Sequence, residues 1–355
     1  MLTKIIQVDP CNIQNSESDL KTAAEMLKNG GVVAFPTETV YGLGGDGTNP
    51  DAARKIYSAK GRPSDNPLII HIATPSDAEA YTFTSETYYK LAEKFMPGPL
   101  TVVMVAKESV PIETRGGLST VAVRCPMHPV ARRLIELCGM PIAAPSANLS
   151  GSPSPTSATH VIDDMQGRID MIIDGGDSEI GLESTIVKIE DDGSLMLLRP
   201  GQITIDELAC VAPVKIADAV TDKLGEGQVA LSPGMKYRHY APEAPLVLID
   251  GEISDTIDFI KSEDLDNIAV ICYTDYCDLI KNSLPGAVVY NLGAKNNMNE
   301  QAHHLFSVLR TVDKLDYSKI YAPLPSKEGV GLALYNRMIR AAAHTVINLR
   351  QDKNG

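Results

Sequence analysis

The residues of this chain that could do chemistry stand out because their neighbours are apolar or glycine. Thr37, Glu38 and Thr39 follow an apolar run over 32–35 and Pro36, and lead into Gly42, Gly44, Gly45 and Gly47. They put two hydroxyls and a carboxylate on one loop, next to backbone that glycine leaves free to approach a ligand or adopt φ > 0. Lys60 and Arg62 follow, ahead of a loop that Pro63 and Pro67 hold extended. A lysine ammonium meets phosphate as a point charge, whereas an arginine meets carboxylate or phosphate as a planar fork. His71 interrupts the apolar run 68–72, and Arg124 ends the apolar run 121–123. A buried arginine without an anion is very costly, so Arg124 calls for a carboxylate of the fold or one from a ligand. Ser146 and Asn148 flank Ala147 at the end of a strand over 141–144, where alternation puts both side chains on one face. Polar loops, flexible backbone and cations converging at strand ends describe a site for a small anion.

Each of these features also has a plainer reading. Lys60-Gly61-Arg62 reads equally as a solvated helix C-terminus, where cations favour the helix dipole. A histidine inside an apolar strand reads as a hydrogen-bonded core residue, and Ser146 with Asn148 as a side-chain turn. Gly42-Leu43-Gly44-Gly45-Asp46-Gly47 matches G-x-G-x-x-G formally. A dinucleotide fingerprint needs those glycines directly after the strand, and here 36–41 intervene. A turn that lets strand and loop pack closely fits better.

The elements that must position these residues read from pattern and punctuation. A double glycine stops a helix over 18–29, whose apolar face is Leu20, Ala23, Ala24 and Leu27, and a strand over 31–35 follows. Asn49-Pro50 caps a helix over 51–59, and 68–72 is the next strand. Further strands fall at 5–8, 100–106, 120–125, 171–174, 184–189 and 195–198, the last two a hairpin turned at Asp192-Gly193. Helices fall at 74–80, 85–95, 129–138 and 204–210. Residues 211–244 lack periodicity and read as a linker. From 245 onward strands near 246–250, 268–273, 287–291 and 319–322 alternate with helical patterns that end over 330–349. That is a small α/β domain with a parallel sheet.

At 355 residues, two domains are expected. A net charge of −13 argues against non-specific binding of polyanions, and 5% aromatics without tryptophan argue against stacking platforms for single-stranded nucleic acid. A local phosphate site survives that charge, because exposed charges beyond about 8–10 Å are screened. The six cysteines are scattered without a CxxC pair, and Cys272 with Cys277 alone makes a poor metal site, so free thiols are expected. With no signal-peptide pattern and no apolar run of about 18 residues, a cytoplasmic protein is expected.

The blocks PTETVYGLG (36–44), KGRP (60–63) and NPLIIHI (66–72) closely resemble the YrdC-type domain of threonylcarbamoyl-AMP synthases. STVAVRCP (119–126), APSANLSG (144–151), GLESTIV (181–187) and LLRPG (197–201) continue the resemblance in order. SPGMKYRHYAP (232–242) is typical of the longer, two-domain members. The resemblance implies a YrdC-type twisted mixed sheet with flanking helices over 1–210, a linker over 211–244, and a smaller Rossmann-like α/β domain over 245–355. It implies a nucleotidyltransferase that condenses L-threonine, bicarbonate or CO2, and ATP into threonylcarbamoyl-AMP and pyrophosphate. The adenylate would feed the machinery that modifies adenosine in tRNA, with no stable nucleic-acid binding and no membrane partner. Mg²⁺ is expected with ATP, its protein ligands unassigned. By the same resemblance Thr37, His71, Arg124, Ala144 and Ser184 bind threonine. Lys60, Arg62, Ser64, Thr120, Ser146, Asn148, Ser154 and Arg199 bind ATP, with Lys60 and Arg62 also catalytic. Such a reaction needs no protein nucleophile, which suits the lack of a Ser–His–Asp or Cys–His set and of GxxxxGK[ST]. In the linker, Ser232, Gly234, Arg238, His239 and Tyr240 read as a lid, since cations and tyrosines this dense are unlike a passive tether. Other readings are an RNA-binding or regulatory YrdC-type module, a nicotinamide-dependent enzyme, and a hydrogenase-maturation carbamoyltransferase. The last would add an acylphosphatase module and zinc-finger cysteine pairs, which this sequence lacks.

Overall fold

The computed structural model describes residues 2–220 and 240–350. Among them, residues up to Ser150 and from Ser154 to Val220 form one compact unit, and Gly151–Pro153 with the chain from Tyr240 form a second. The first unit is built on a mixed sheet. Its strands are β1 (Lys4–Gln7), β2 (Val33–Phe35), β3 (Gly42–Asp46), β4 (Ile69–His71), β5 (Leu100–Val105) and β6 (Thr120–Arg124). The series continues with β7 (Ile142–Ala143), β8 (Met171–Asp174), β9 (Thr185–Ile189), β10 (Leu195–Arg199) and β11 (Val214–Ile216). Their order across the sheet is β1-β8-β2-β3-β7-β4-β6-β5-β9-β10-β11.

Helix Glu17–Lys28 buries Leu20, Ala23, Ala24 and Leu27, the apolar face its spacing predicts. With helix Pro129–Cys138 it covers β1, β2 and β8 in one core that includes Val33, Phe35, Leu134, Met171 and Ile173. Helix Pro50–Lys60 starts where Asn49 Oδ1 accepts from Asp51 N–H at 2.9 Å, with Pro50 in its first turn. It stops at Gly61, whose φ of +61° is left-handed. Its buried residues are Ala52, Ala53, Ile56, Tyr57 and Lys60, so helical periodicity carries the lysine onto the apolar face.

Three stretches of the first unit differ from the sequence expectation. Residues 42–46 are a strand rather than a loop, and none of Gly42, Gly44, Gly45 or Gly47 has a positive φ. The glycines serve packing. A Cβ on Gly44 would meet Ile142 Cγ2 at 2.7 Å and Phe35 Cε1 at 2.8 Å, and one on Gly45 would meet Ile56 Cδ1 at 3.1 Å. Residues 211–220, expected as linker, stay with the first unit: β11 pairs in parallel with β10, and Ala219 packs on Ile69, Val103, Ala122 and Ile186. Ser157 caps a helix, Ala158–Met165, that the pattern did not announce.

The second unit holds a parallel sheet of β12 (Leu246–Asp250), β13 (Ile268–Cys272), β14 (Val288–Asn291), β15 (Lys319–Pro323) and β16 (Val346–Asn348). Their order is β14-β13-β15-β12-β16. Strand β16 splits the helical pattern expected over 330–349: helix Gly331–Ala341 ends, and Ala343 and His344 turn the chain with φ of 49° and 65°. No helix among the described residues is long and apolar enough to cross a membrane.

Candidate active site

Register in the first sheet lines up the polar residues that sequence alone left scattered. His71 of β4 lies opposite Arg124 of β6, which lies opposite Thr101 of β5. Residues directly opposite share a face, so the three side chains form one row. Ser184, just before β9, continues the row: its Oγ is 2.7 Å from Thr101 Oγ1. Arg199, the last residue of β10, donates from Nε to Ser184 O at 3.1 Å and from Nη2 to Ser184 Oγ at 3.2 Å. All five are buried.

Arg124 finds its anion in Glu38: Nη2 donates to Oε1 at 2.6 Å, while Oε2 accepts from His128 N–H at 3.3 Å. Burial alone would raise the Glu38 carboxyl, but the Arg124 charge and its hydrogen bond outweigh that and hold it below the usual range. Arg124 Nε is buried and has no hydrogen-bond partner. Burial pushes His71 down to about 3, so the ring is neutral near pH 7. Its Nδ1 lies 3.2 Å from Ile69 O and 3.3 Å from Ile142 O, which assigns the proton to Nδ1 and leaves Nε2 as acceptor. A cavity of about 450 Å³ opens beside Glu38, lined also by His128, Gly176 and Asp177.

A second cluster gathers around Lys60. Its Nζ donates to Ser146 O at 2.6 Å, Asn148 O at 2.5 Å and Asn148 Oδ1 at 3.3 Å. Ser146 Oγ donates to Asn148 Oδ1 at 2.5 Å, so these two side chains do share a face. Lys60 is therefore the post that holds the 146–148 loop, and a solvated helix end is excluded by its 2% exposure. Arg62 does the same for the following loop, donating from Nε to Asn66 O at 3.3 Å and from Nη2 to Pro67 O at 3.2 Å. Glu183, which precedes Ser184, accepts from Ser154 Oγ at 2.6 Å and so ties the end of the row to the loop that follows Asn148.

Residues 25–201 match a Sua5/YciO/YrdC family model described as "Telomere recombination", and residues 203–343 match one described as the C-terminal domain of threonylcarbamoyl-AMP synthase. The threonylcarbamoyl-AMP synthase of Pyrococcus abyssi is 42% identical over 342 residues, 94% of this chain and 96% of that one. This chain belongs to that family. The Bacillus subtilis member is 41% identical over 340 residues, again 94% and 96% of the two chains. A crystal structure of P. abyssi Sua5 complexed with L-threonine superposes with a TM-score of 0.87 at 41% identity, covering 98% of this chain and all of that one.

Set against the roles the family resemblance implies, the structure brings His71, Arg124 and Ser184 into one row. It places Arg199 beside Ser184 rather than beside the Lys60 cluster where Ser146 and Asn148 lie. Ala144 sits next to the row, its N–H donating to Ile69 O at 2.8 Å. Thr37 is buried and turned inward, donating from Oγ1 to Val40 O at 2.6 Å. Thr120 opens β6 on the same face as Arg124, about 13 Å along the strand. Ser64 is exposed on the loop that Arg62 braces. Of the lid, Ser232, Gly234, Arg238 and His239 lie outside the described residues. Tyr240 is buried in the second unit with its ring 5.1 Å from that of Phe306.

Sequence reasoning quoted Glu38 and Glu183 without a role and missed Thr101. Thr101 had a signal: it is the polar residue in the apolar run LTVVMV.

Proposed function

We propose that this chain is an L-threonylcarbamoyladenylate synthase, joining L-threonine, CO2 from bicarbonate, and ATP, and releasing pyrophosphate. The observation that carries the reading is the row His71–Arg124–Thr101–Ser184, in which Arg124 keeps one buried N–H donor without a partner. A ligand carboxylate would meet that donor in a charge-assisted bond, and the neutral His71 ring would accept the threonine hydroxyl hydrogen. The L-threonine complex of the P. abyssi relative supports the same choice of amino acid.

On this reading the threonine amine adds to CO2, and a carbamate oxygen then displaces pyrophosphate at the ATP α-phosphorus. Both partners are anionic, so the site must bring like charges together. Lys60 and Arg62 contribute positive charge at the nucleotide end, and the backbone they brace fixes where Ser146 and Asn148 point. Holding the carbamate against the phosphate supplies the rest, since effective molarity is worth about 7–11 kcal/mol. Among the described residues no group of three or more His, Cys, Asp or Glu side chains is placed to hold a metal ion. Mg²⁺ would arrive on the ATP phosphates, which are its usual partners. The adenylate would pass to an enzyme that modifies tRNA.

Pyrophosphate release from ATP, with threonine and bicarbonate omitted in turn, tests the proposal. Release is expected only when both are present, with serine the best substitute and valine poor, because valine lacks the hydroxyl. Release that ignores either omission would overturn it.

A further inference from the structure

The thiols of Cys272 and Cys277, which the proposed reaction does not use, are 3.4 Å apart, Sγ to Sγ. Cys272 is the last residue of β13 and is 4% exposed; Cys277 opens the next helix, Cys277–Ser283, and is half-buried. The short turn Thr274–Tyr276 folds the second cysteine back over the first. That turn is pinned from outside itself. Thr274 N–H donates to Gly293 O at 2.9 Å, Thr274 Oγ1 donates to Asn291 Oδ1 at 2.8 Å, and Asp275 accepts from Lys295 N–H at 2.8 Å. The two sulfurs are therefore held together by the fold rather than by chance of a mobile loop. Bonded sulfurs lie about 2.05 Å apart, so closing the bond draws these two together by about 1.4 Å (3.4 − 2.05). Cys272 also lines a cavity of about 160 Å³ at the carboxyl ends of β12, β13 and β15, together with Asp250, Tyr273, Tyr276 and Lys295.

We propose that Cys272 and Cys277 form a modification site at which a hydroperoxide closes an intrachain disulfide. Peroxide oxidises the more open Cys277 thiol to sulfenic acid, and one water leaves. The Cys272 sulfur then attacks the sulfenyl sulfur, the S–S bond forms, and the hydroxyl departs as a second water with the Cys272 proton. Two thiols and one hydrogen peroxide thus give one disulfide and two waters. Burial pushes the Cys272 thiol up, which makes it a slow first target and suits it to the second, resolving step. The bond would tie residues 272–277 into a ring carrying Tyr273 and Tyr276, so the wall of the cavity would differ between the two thiol states.

The test uses the full chain exposed to hydrogen peroxide, alkylated in denaturant without reductant, digested with trypsin and weighed. Residues 262–281 form one tryptic peptide containing both cysteines. The proposal expects that peptide to lose two hydrogen masses, resist alkylation, and regain both thiols with dithiothreitol. In Cys272→Ser, a dimedone adduct is expected on Cys277. The exposed Cys11 and Cys210 serve as internal controls. Alkylation of both Cys272 and Cys277 at peroxide doses that oxidise those controls would overturn the proposal. So would either thiol pairing with a different cysteine.

Discussion

On the proposed reading, replacing Arg124 with alanine removes a threonine contact, and it also strands Glu38, whose buried carboxylate would lose the charge that keeps it ionised. Breaking a buried pair costs about 3–5 kcal/mol, so the single variant confuses folding with binding. The double variant Arg124→Ala, Glu38→Gln separates them. It is expected to melt closer to the parent than Arg124→Ala does, while its threonine KM rises roughly 10- to 100-fold, the worth of a charge-assisted hydrogen bond. Threonine kinetics at saturating ATP, beside thermal melts, check both halves. His71 carries a pH prediction of definite sign. Its folded-state value lies near 3 against about 6.5 unfolded, so below pH 6.5 the unfolded chain takes up a proton that the folded chain refuses. Stability is thus lost as pH falls through that window, by about 2–3 kcal/mol between pH 6.5 and 4.5 from this residue alone. Urea unfolding of the parent and of His71→Asn at both pH values should show the parent losing more. Equal losses would mean the ring is not buried in neutral form.

At the level of elements, β3 is a strand made mostly of glycine, and its flatness lets the Phe35 ring lie against it. Gly44→Ala places a methyl carbon inside the contact distance of Ile142 and Phe35 and is expected to cost about 1–3 kcal/mol. Because Phe35 also stands edge-on to His71, with centroids 6.1 Å apart, activity should fall with stability. An alanine accepted at no cost in a denaturant series would show that the ring can move aside. The same strand shows where reading the sequence ends. Helix Glu17–Lys28 was legible because apolar spacing and a double glycine agree. Strand β3 was not, because glycine is a poor strand former in isolation and only the facing ring and helix give it a reason to be there. Residues 214–216 were illegible for a related cause: β11 is a short edge strand whose partner, β10, decides its state. In the site, the residue types were legible and their partners were not. No local pattern says that Lys60 will spend its donors on carbonyls 86 and 88 positions away, or that Glu38 will meet Arg124.

For the molecule as a whole, a net charge of −13 sets the expectation for polyanions. Gel-shift titration with double-stranded RNA at low salt should give no saturable complex. A complex whose affinity falls steeply with added salt would bring back the RNA-binding reading. The sheet order also has a consequence in time. β1 has β8 as its partner, and their first paired residues, Lys4 and Met171, are 167 positions apart (171 − 4 = 167). At roughly 5–20 residues per second on the ribosome, that interval is about 10–30 s. Throughout it the apolar side of helix Glu17–Lys28 has neither β1 in place nor β8 to rest on. The first unit therefore completes its core late in synthesis, and the growing chain depends for those seconds on whatever else can shelter an unfinished sheet.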